Sequence, residues 1–208
     1  MFITFEGPEG SGKSTQVVLV AEALRQDGRP VVVTREPGGT ALGEQLRALL
    51  LGGEHVPAPE TEAYLMTAAR SEHVRSVIQP ALARGDWVLC DRFCDSTLAY
   101  QGAGRGIDVE RLRTLQCLAT DGLTPDVTFL LDIDVVEGLR RRHGGGGRNR
   151  IDDETVSFHQ RVAAWYRDEA ARDPQRWRKV DAGQPVEAVT RAILRELAVS
   201  HSGAELRT

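Results

Sequence analysis

The chain has 208 residues, of which 41% are hydrophobic and 27% are charged, so it is long enough for one domain with a substantial core. Its formal net charge of -4 excludes an overall basic surface for nucleic acid or membranes, and we expect neither as a partner. No apolar run approaches the ~20 residues of a membrane helix, and Met1 leads into a strand pattern rather than a secretory signal. Three cysteines without disulfide or metal spacing indicate reduced thiols, so we expect a soluble cytoplasmic protein.

Short apolar or β-branched runs alternate with longer helical patterns along the chain. Strands are predicted at residues 2–5, 31–34, 87–90, 127–131 and 178–181. Helices are predicted near residues 14–27, 42–51, 60–84, 107–120, 152–172 and 186–199. Strands separated by helices indicate βαβ crossovers and parallel pairing. We therefore expect a single three-layer α/β domain over residues 1–208, with a five-stranded parallel sheet, helices on both faces and a frayed tail from about residue 200.

A glycine-rich turn lies between the first predicted strand and the first predicted helix. It reads Gly-Pro-Glu-Gly-Ser-Gly-Lys-Ser and matches the phosphate-binding pattern G-x-x-x-x-G-K-[ST]. Glycines let several backbone N–H groups converge on one phosphate beside the positive end of a helix dipole. We expect Lys13 to reach the β- and γ-phosphates of ATP and the Ser14 hydroxyl to ligate Mg²⁺. The candidate ATP-binding residues are Gly7, Pro8, Glu9, Gly10, Ser11, Gly12, Lys13 and Ser14.

A carboxylate and a guanidinium follow the third predicted strand, at the edge of the sheet where open α/β folds bind ligands. Asp91 stands where P-loop enzymes carry their second Mg²⁺-organising group. The adjoining Arg92 suits an anionic substrate. The alternative for Asp91 is a helix N-cap or the partner of a basic residue.

Two other classes of nucleotide-binding protein fit the sequence poorly. A signalling GTPase carries an Asn-Lys-x-Asp motif, but the single asparagine of this chain, Asn149, is followed by Arg150. Motor and transporter ATPases normally need a longer chain with further signature segments. A small kinase for a metabolite remains, and its acceptor has to be identified from the other loops.

Four glycines at 144–147 separate two arginine-rich segments. This composition is that of a disordered surface loop, but five flanking arginines in an acidic chain equally indicate a mobile cationic lid over about residues 141–151. The flanking arginines are Arg140, Arg141, Arg142, Arg148 and Arg150.

Four segments, in this order, carry a resemblance to a known family. Residues 5–14 hold the phosphate loop, and residues 34–40 read Thr-Arg-Glu-Pro-Gly-Gly-Thr. Residues 91–102 begin with Asp-Arg and end with Ser-Thr-Leu-Ala-Tyr-Gln-Gly, and residues 150–152 read Arg-Ile-Asp. Together these segments resemble bacterial thymidylate kinases over about residues 1–190. The resemblance implies a P-loop kinase fold, a homodimer, and the reaction ATP + dTMP → ADP + dTDP with Mg²⁺, which supplies DNA precursors.

The resemblance also implies how the sugar and phosphate of dTMP are held. The carboxylate of Glu9 matches the group that holds the 3′-hydroxyl, and Arg92 matches the arginine that grips the acceptor phosphate. Arg35 lies on a loop that approaches the same phosphate, with a plain salt bridge as its alternative role. Tyr100 matches the ring that stacks against the deoxyribose and leaves no room for a 2′-hydroxyl.

Four further residues match positions around the base. Arg70 matches the arginine that donates to a thymine carbonyl, although by itself a helix arginine usually lies on a solvated face. Thr97 and Gln101 match positions that read the base edge. Met66 stands where family members commonly carry an aromatic residue that stacks on thymine, and a thioether covers a base less rigidly.

Members of the family that lack an arginine in the phosphate loop use lid arginines to stabilise the migrating phosphoryl group. The candidate catalytic residues are therefore Lys13, Glu9, Arg92, Arg141, Arg148 and Arg150, with the acting lid arginine left open. Two alternative functions stay open at this point. One is a kinase for another pyrimidine monophosphate, and the other is a non-catalytic P-loop binding module whose lid is a docking patch.

Overall fold

The computed structural model describes residues 1–52, 56–144 and 149–204. Within these ranges the chain forms one five-stranded parallel sheet with the strand order β2-β3-β1-β4-β5. The strands are β1 (Phe2–Glu6), β2 (Val31–Arg35), β3 (Trp87–Asp91), β4 (Val127–Asp132) and β5 (Trp177–Asp181). Each predicted strand is present, and its bounds differ from the prediction by at most one residue at either end.

Helices connect the strands. They are α1 (Lys13–Gln26), α2 (Ala41–Leu51), α3 (Pro59–His73), α4 (Gln79–Ala83), α5 (Cys94–Thr97), α6 (Val109–Thr120), α7 (Val135–Gly144), α8 (Val156–Arg172) and α9 (Val186–Ala204). Two π-helical turns follow α3 and α5, at Val74–Ile78 and Leu98–Gly104, and a 3₁₀ turn covers Arg150–Asp153. Among the described residues, no helix combines the length and the apolar character that crossing a membrane requires.

The sheet is covered on both faces because alternate side chains of a strand point to opposite sides. Ile3 and Phe5 of β1 pack with residues of α1 and α9 in one buried cluster. Phe2, which precedes Ile3 and points to the opposite face, lies in a different cluster with Val74 and Ile78. Leu130 of β4 packs against α8 on the side away from α1. The predicted three-layer α/β architecture is therefore confirmed.

Two helical segments were not predicted. Four of the eleven residues of the segment Cys94–Gly104 are Gly, Ser or Thr, which have low intrinsic helix propensity. No helix was predicted at α7, so the lid expected from about residue 141 begins inside a helix. The lid residues 145–148, Arg148 included, lie outside the described residues. α9 continues to Ala204, past the point near residue 200 where a frayed tail was predicted.

The carboxyl ends of three neighbouring strands meet at one edge of the sheet. Arg35 at the end of β2 pairs in register with Asp91 at the end of β3, and Phe5 of β1 pairs with the same residue. The loops that leave these strands carry the phosphate motif, the 34–40 motif and the Asp-Arg pair. Parallel pairing thus brings three segments that are distant in sequence to one crevice.

Candidate active site

A cavity of about 410 Å³ opens at this edge of the sheet. Its walls come from the phosphate loop, from the loop after β2, from α3, from the segment after β3 and from α7. The predicted site residues that line it are Glu9, Gly10, Gly12, Lys13, Ser14, Arg35, Met66, Arg70, Asp91, Arg92, Thr97, Tyr100, Gln101 and Arg141. The residues predicted to bind phosphate and those predicted to bind a base therefore line one space.

The phosphate loop wraps around the side chain of Lys13. The ammonium donates to the carbonyl oxygens of Gly7 and Pro8 at 3.0 and 2.8 Å and to Ser11 Oγ at 3.2 Å. Burial, followed by the nearby charge of Arg92, lowers the pKa of Lys13 to about 8. The lysine is therefore mostly charged at neutral pH, and it is held at the centre of the loop.

A close backbone approach fixes α7 against the phosphate loop. A Cβ atom built on Gly10 would lie 1.9 Å from the carbonyl oxygen of Gly138, and one built on Gly138 would lie 2.4 Å from that of Glu9. Gly10 also has a φ of 71°, in the region that favours glycine. Glycine is thus required on both sides of this contact, which holds the arginines of α7 one turn away from the loop.

Ser14 and Asp91 form the pair expected around Mg²⁺. Ser14 Oγ donates to Asp91 Oδ2 at 2.5 Å. The other carboxylate oxygen, Asp91 Oδ1, is buried and has no hydrogen-bond partner among the described residues. A hydroxyl and a carboxylate at the end of a strand are the oxygen ligands that Mg²⁺ takes together with nucleotide phosphates. The residues present therefore fit the cation.

Glu9, Arg92 and Tyr100 form a closed triangle of hydrogen bonds. Arg92 Nη2 donates to Glu9 Oε1 at 2.8 Å and to the Tyr100 hydroxyl at 3.0 Å, and that hydroxyl donates to Glu9 Oε1 at 2.9 Å. Burial alone would raise the pKa of Glu9, but the charges of Arg92 and Lys13 and the tyrosine bond lower it to about 2. Glu9 is consequently a carboxylate at any physiological pH.

A buried carboxylate that the sequence analysis did not identify lies beneath this triangle. Glu6 accepts hydrogen bonds from Phe93 N at 2.7 Å, from Ser96 Oγ at 2.7 Å and from the Tyr166 hydroxyl at 2.8 Å. Arg92 Nη1 in turn donates to Ser96 Oγ at 3.2 Å. Glu6 therefore ties the end of β1 to the segment that carries Arg92. The sequence signal that could have identified Glu6 is its position directly before the phosphate motif.

Arg70 is buried, with only 2% of its surface exposed, so it does not lie on a solvated helix face. Its guanidinium donates to Glu36 Oε2 at 2.6 Å, to Thr97 Oγ1 at 2.9 Å, to Gln116 Oε1 at 2.5 Å and to the carbonyl oxygen of Phe93 at 2.9 Å. These partners come from the loop after β2, the segment after β3 and α6, and they fix the plane of the guanidinium. Arg70 is thus presented to the cavity in one orientation.

Two arginines stand at the β2 side of the cavity. Arg35, half exposed, makes a salt bridge in which its Nη2 donates to both carboxylate oxygens of Glu44, at 3.1 and 2.9 Å, so the salt bridge weighed as its alternative role is present. It also lines the cavity. Arg47 of α2 lines the cavity too and donates to the carbonyl oxygen of Pro37 at 2.9 Å. Arg47 was missed because it lies outside the recognised motifs.

The lid arginines occupy different surroundings. Arg141 lines the cavity and donates to Glu137 at 2.8 Å and to the carbonyl oxygen of Ala182 at 2.9 Å. Arg142, which was predicted as a lid arginine but not as a catalytic residue, also lines the cavity and binds Asp152 at 3.1 Å. Arg150 points elsewhere, to the carboxylate of Glu62 and, at 3.3 Å, to the carbonyl oxygen of Leu50.

A family model described as thymidylate kinase matches residues 5–193 of the chain. The chain belongs to the thymidylate kinase family.

Individual thymidylate kinases agree with this match over nearly their whole length. The chain is 58% identical over 193 residues to a thymidylate kinase of Thermomicrobium roseum, covering 92% of this chain and 91% of that one. It is 52% identical over 199 residues to a thymidylate kinase of Alkalilimnicola ehrlichii, covering 95% and 92%. A crystal structure of thymidylate kinase from Ehrlichia chaffeensis superposes with a TM-score of 0.77 at 37% identity, covering 95% of this chain and 98% of that one.

Thymidylate kinase membership confirms the resemblance and the P-loop kinase fold that the motifs predicted. The chain is an enzyme of the nucleotide kinase class, a transferase that acts in nucleotide biosynthesis. Neither a kinase for another pyrimidine monophosphate nor a non-catalytic binding module is favoured by these matches.

Proposed function

We propose that the chain transfers the γ-phosphoryl group of ATP to dTMP, giving ADP and dTDP for DNA synthesis, with Mg²⁺ as the cation. The observation that carries the proposal is the single cavity in which the phosphate loop faces the groups assigned to a nucleoside monophosphate. Phosphoryl transfer needs little covalent chemistry from the protein, so the site has to position two phosphates in line and balance their charge.

The donor side is assigned to the phosphate loop. Backbone N–H groups of Gly7 to Ser14 at the amino end of α1 suit the phosphates of ATP, and the Lys13 ammonium suits the β- and γ-phosphates. Ser14 and Asp91 would hold Mg²⁺ between them, directly or through water. The cation would neutralise charge on the phosphate oxygens during transfer.

The acceptor side is assigned to the segment after β3 and to α3. Arg92 would bind the dTMP phosphate, Glu9 would accept a hydrogen bond from the 3′-hydroxyl, and Tyr100 would stack on the deoxyribose. The contacts of Arg92 with both other residues support this, because one substrate sugar phosphate would meet all three. Arg35 and Arg47 add positive charge to the same wall.

The base would be held by groups at the α3 end of the cavity. Arg70 is a donor for a thymine carbonyl, Thr97 and Gln101 face the base edge, and Met66 covers the ring. Among the lid arginines, Arg141 is the first candidate for the transferring phosphoryl, since it lines the cavity from a helix fixed to the phosphate loop. Arg148 and Arg150 stay predictions.

The proposal extends to assembly and location. Leu42 and Leu49 of α2 and Tyr64 of α3 are exposed apolar side chains on two helices that pack together, which suits a homodimer interface. Light scattering after size exclusion should give twice the mass of the 22.8 kDa chain. The three cysteines are free thiols, as a reducing cytoplasm favours.

The test is a coupled assay of ADP release with ATP-Mg²⁺ against a panel of nucleoside monophosphates. We expect dTMP to give the highest kcat/KM and dUMP a lower one. Faster turnover of UMP, CMP or AMP than of dTMP would contradict the proposal and favour a different acceptor.

A further inference from the structure

The carboxylate of Glu62 on α3 is almost fully buried, with its side chain 1% exposed, behind the wall of the cavity. Gln101 Nε2 donates to its Oε1 at 2.7 Å, Arg105 Nε lies 3.4 Å from the same oxygen, and Arg150 contacts Oε2. Burial alone would raise the pKa of Glu62, but the bonds from Gln101 and Arg150 and the charge of Arg105 lower it. Glu62 is therefore an anion that can only accept hydrogen bonds.

An anion at this position fixes the orientation of the Gln101 amide. The nitrogen of a glutamine side chain donates and its oxygen accepts, so the end that faces a carboxylate has to be the nitrogen. Gln101 lines the cavity, and its Oε1 accepts no hydrogen bond from any residue in the described ranges. The amide thus has a free acceptor to offer a ligand.

Arg70 contributes a hydrogen-bond donor to the same cavity. A guanidinium has five N–H groups and no acceptor. Four of those groups are engaged by Glu36, Thr97, Gln116 and the carbonyl oxygen of Phe93, which leaves one hydrogen on Nη2. The cavity therefore presents a fixed donor and a fixed acceptor.

This pair matches one class of pyrimidine and opposes the other. Thymine and uracil carry an acceptor at O4 beside a donor at N3–H, whereas cytosine carries an amino donor at C4 beside an acceptor at N3. A glutamine turned the other way would present its NH₂ group, which suits N3 of cytosine. The direction of the Gln101 amide therefore decides part of the base preference.

We propose that Glu62 is a positioning residue that makes the site selective for an imide base, by holding the amide nitrogen of Gln101 away from the substrate. The inference rests on the proposed function, since it needs a pyrimidine monophosphate in this cavity. Glu62 itself does not line the cavity and would act through Gln101.

The test compares kcat/KM for dTMP and for dCMP in the wild type and in Glu62→Gln, which keeps the shape but can also donate. We expect the dTMP-to-dCMP ratio to fall at least about tenfold, because a site loses discrimination when a fixed polar group becomes free to turn. Activity on dCMP should also rise in absolute terms. General damage to the fold would lower both activities and would not produce this gain.

Arg105→Gln is the matched control, since it removes a cationic partner of Glu62 and leaves the bond to Gln101 in place. We expect its dTMP-to-dCMP ratio to change far less than that of Glu62→Gln, because Glu62 keeps its pair with Arg150 and still accepts from Gln101 Nε2. An equal loss of selectivity in Arg105→Gln would overturn the inference, as would an unchanged ratio in Glu62→Gln.

The double variant E62Q/Q101E exchanges the two side chains and keeps one carboxylate in the cluster. Its carboxylate now faces the cavity and can only accept, so we expect preference for dTMP to return. This variant decides the matter if Glu62→Gln does not fold, and a double variant that prefers dCMP overturns the inference. A wild type that prefers another acceptor class would instead contradict the proposed function itself.

Discussion

Arg92 holds Glu9 across the site, with 2.8 Å between Nη2 of the arginine and Oε1 of the glutamate. A carboxylate within a phosphate loop repels phosphate, so its charge needs a compensating partner and a task. Arg92 is that partner. Its charge lowers the pKa of Glu9, whereas burial alone would raise that pKa. We propose that the 3′-hydroxyl of the acceptor supplies the task, because a sugar hydroxyl can donate to an anion that phosphate avoids.

Replacing Glu9 by glutamine removes the anion while keeping the shape. A hydrogen bond to a charged group contributes roughly 1.5–3 kcal/mol, so kcat/KM for dTMP should fall about tenfold to a hundredfold. The 3′-deoxy analogue of dTMP lacks the hydroxyl and should lose much less. Steady-state assays with both acceptors give the ratio. An unchanged ratio of the two activities would show that Glu9 does not bind the 3′-hydroxyl.

The pH dependence of ATP use should report the protonation of Lys13. Its pKa lies at about 8 instead of 10.5, first because of burial and then because of Arg92. In its proposed role the charged lysine binds phosphate, so kcat/KM for ATP should be full below this pH and fall as pH rises through it, since kcat/KM reports the free enzyme. Bound phosphates raise the pKa of the lysine, so kcat should decline only at higher pH.

The control for this profile is Lys13→Arg. A guanidinium stays protonated throughout the accessible range, so whatever activity this variant keeps should not decline near pH 8. If the wild type shows no alkaline decline in kcat/KM for ATP, the ammonium of Lys13 does not limit ATP binding.

Buried strands and short motifs were predictable because their information is local. β1 and β4 are continuous apolar runs, as parallel strands covered on both faces require, and the glycine pattern of the phosphate loop lies within eight residues. The helical segment Cys94–Gly104 was missed because distant contacts stabilise it. One of them is the ring of Phe158, which would lie 2.6 Å from a Cβ atom on Gly104.

The partners that orient the site residues were not predictable from the sequence. Glu36 and Gln116 reach Arg70 across 34 and 46 residues, and Glu62 reaches Gln101 across 39. No periodicity or motif connects positions so far apart, so a sequence pattern identifies the groups that meet the substrate more readily than those that hold them. α7 was missed for a similar reason, since its position depends on the contact with the phosphate loop.

Gly138→Ala should disturb catalysis from outside the cavity. The new methyl group would lie 2.4 Å from the carbonyl oxygen of Glu9, and a backbone atom cannot move aside as a flexible side chain does. α7 or the phosphate loop therefore has to shift, and we expect kcat/KM for ATP to fall on the order of 10²-fold. Overpacking should also lower the free energy of unfolding by about 1–3 kcal/mol.

Gly144→Ala on the same helix is the control for stability. Apart from its own helix and chain neighbours, no atom of the described residues lies within 4 Å of a Cβ atom built there, and alanine favours a helix over glycine, so the melting temperature should hold or rise. Equal melting temperatures for the two variants would mean that the contact between α7 and the phosphate loop is not tight.

Two neighbouring arginines on α7 share a partner and differ in what they face. Arg140 and Arg141 both bind Glu137, at 2.7 and 2.8 Å. Arg140 is exposed over 72% of its side chain, whereas Arg141 is half as exposed and lines the cavity. Substituting each arginine in turn therefore separates the effect of a charge that faces the cavity from that of a charge on the helix surface.

Arg141→Ala should lower kcat steeply, because an arginine that stabilises the transferring phosphoryl contributes on the order of 10³-fold in P-loop enzymes. The KM for dTMP should change little, since Arg141 would act on charge that develops during transfer and not on the bound acceptor. Arg140→Ala removes an equal charge from the solvent side and should keep a nearly normal kcat. If both variants keep a normal kcat, Arg141 is not the stabilising group. The charge must then come from another arginine that lines the cavity, namely Arg35, Arg47, Arg92 or Arg142, or from the predicted lid residues Arg148 and Arg150.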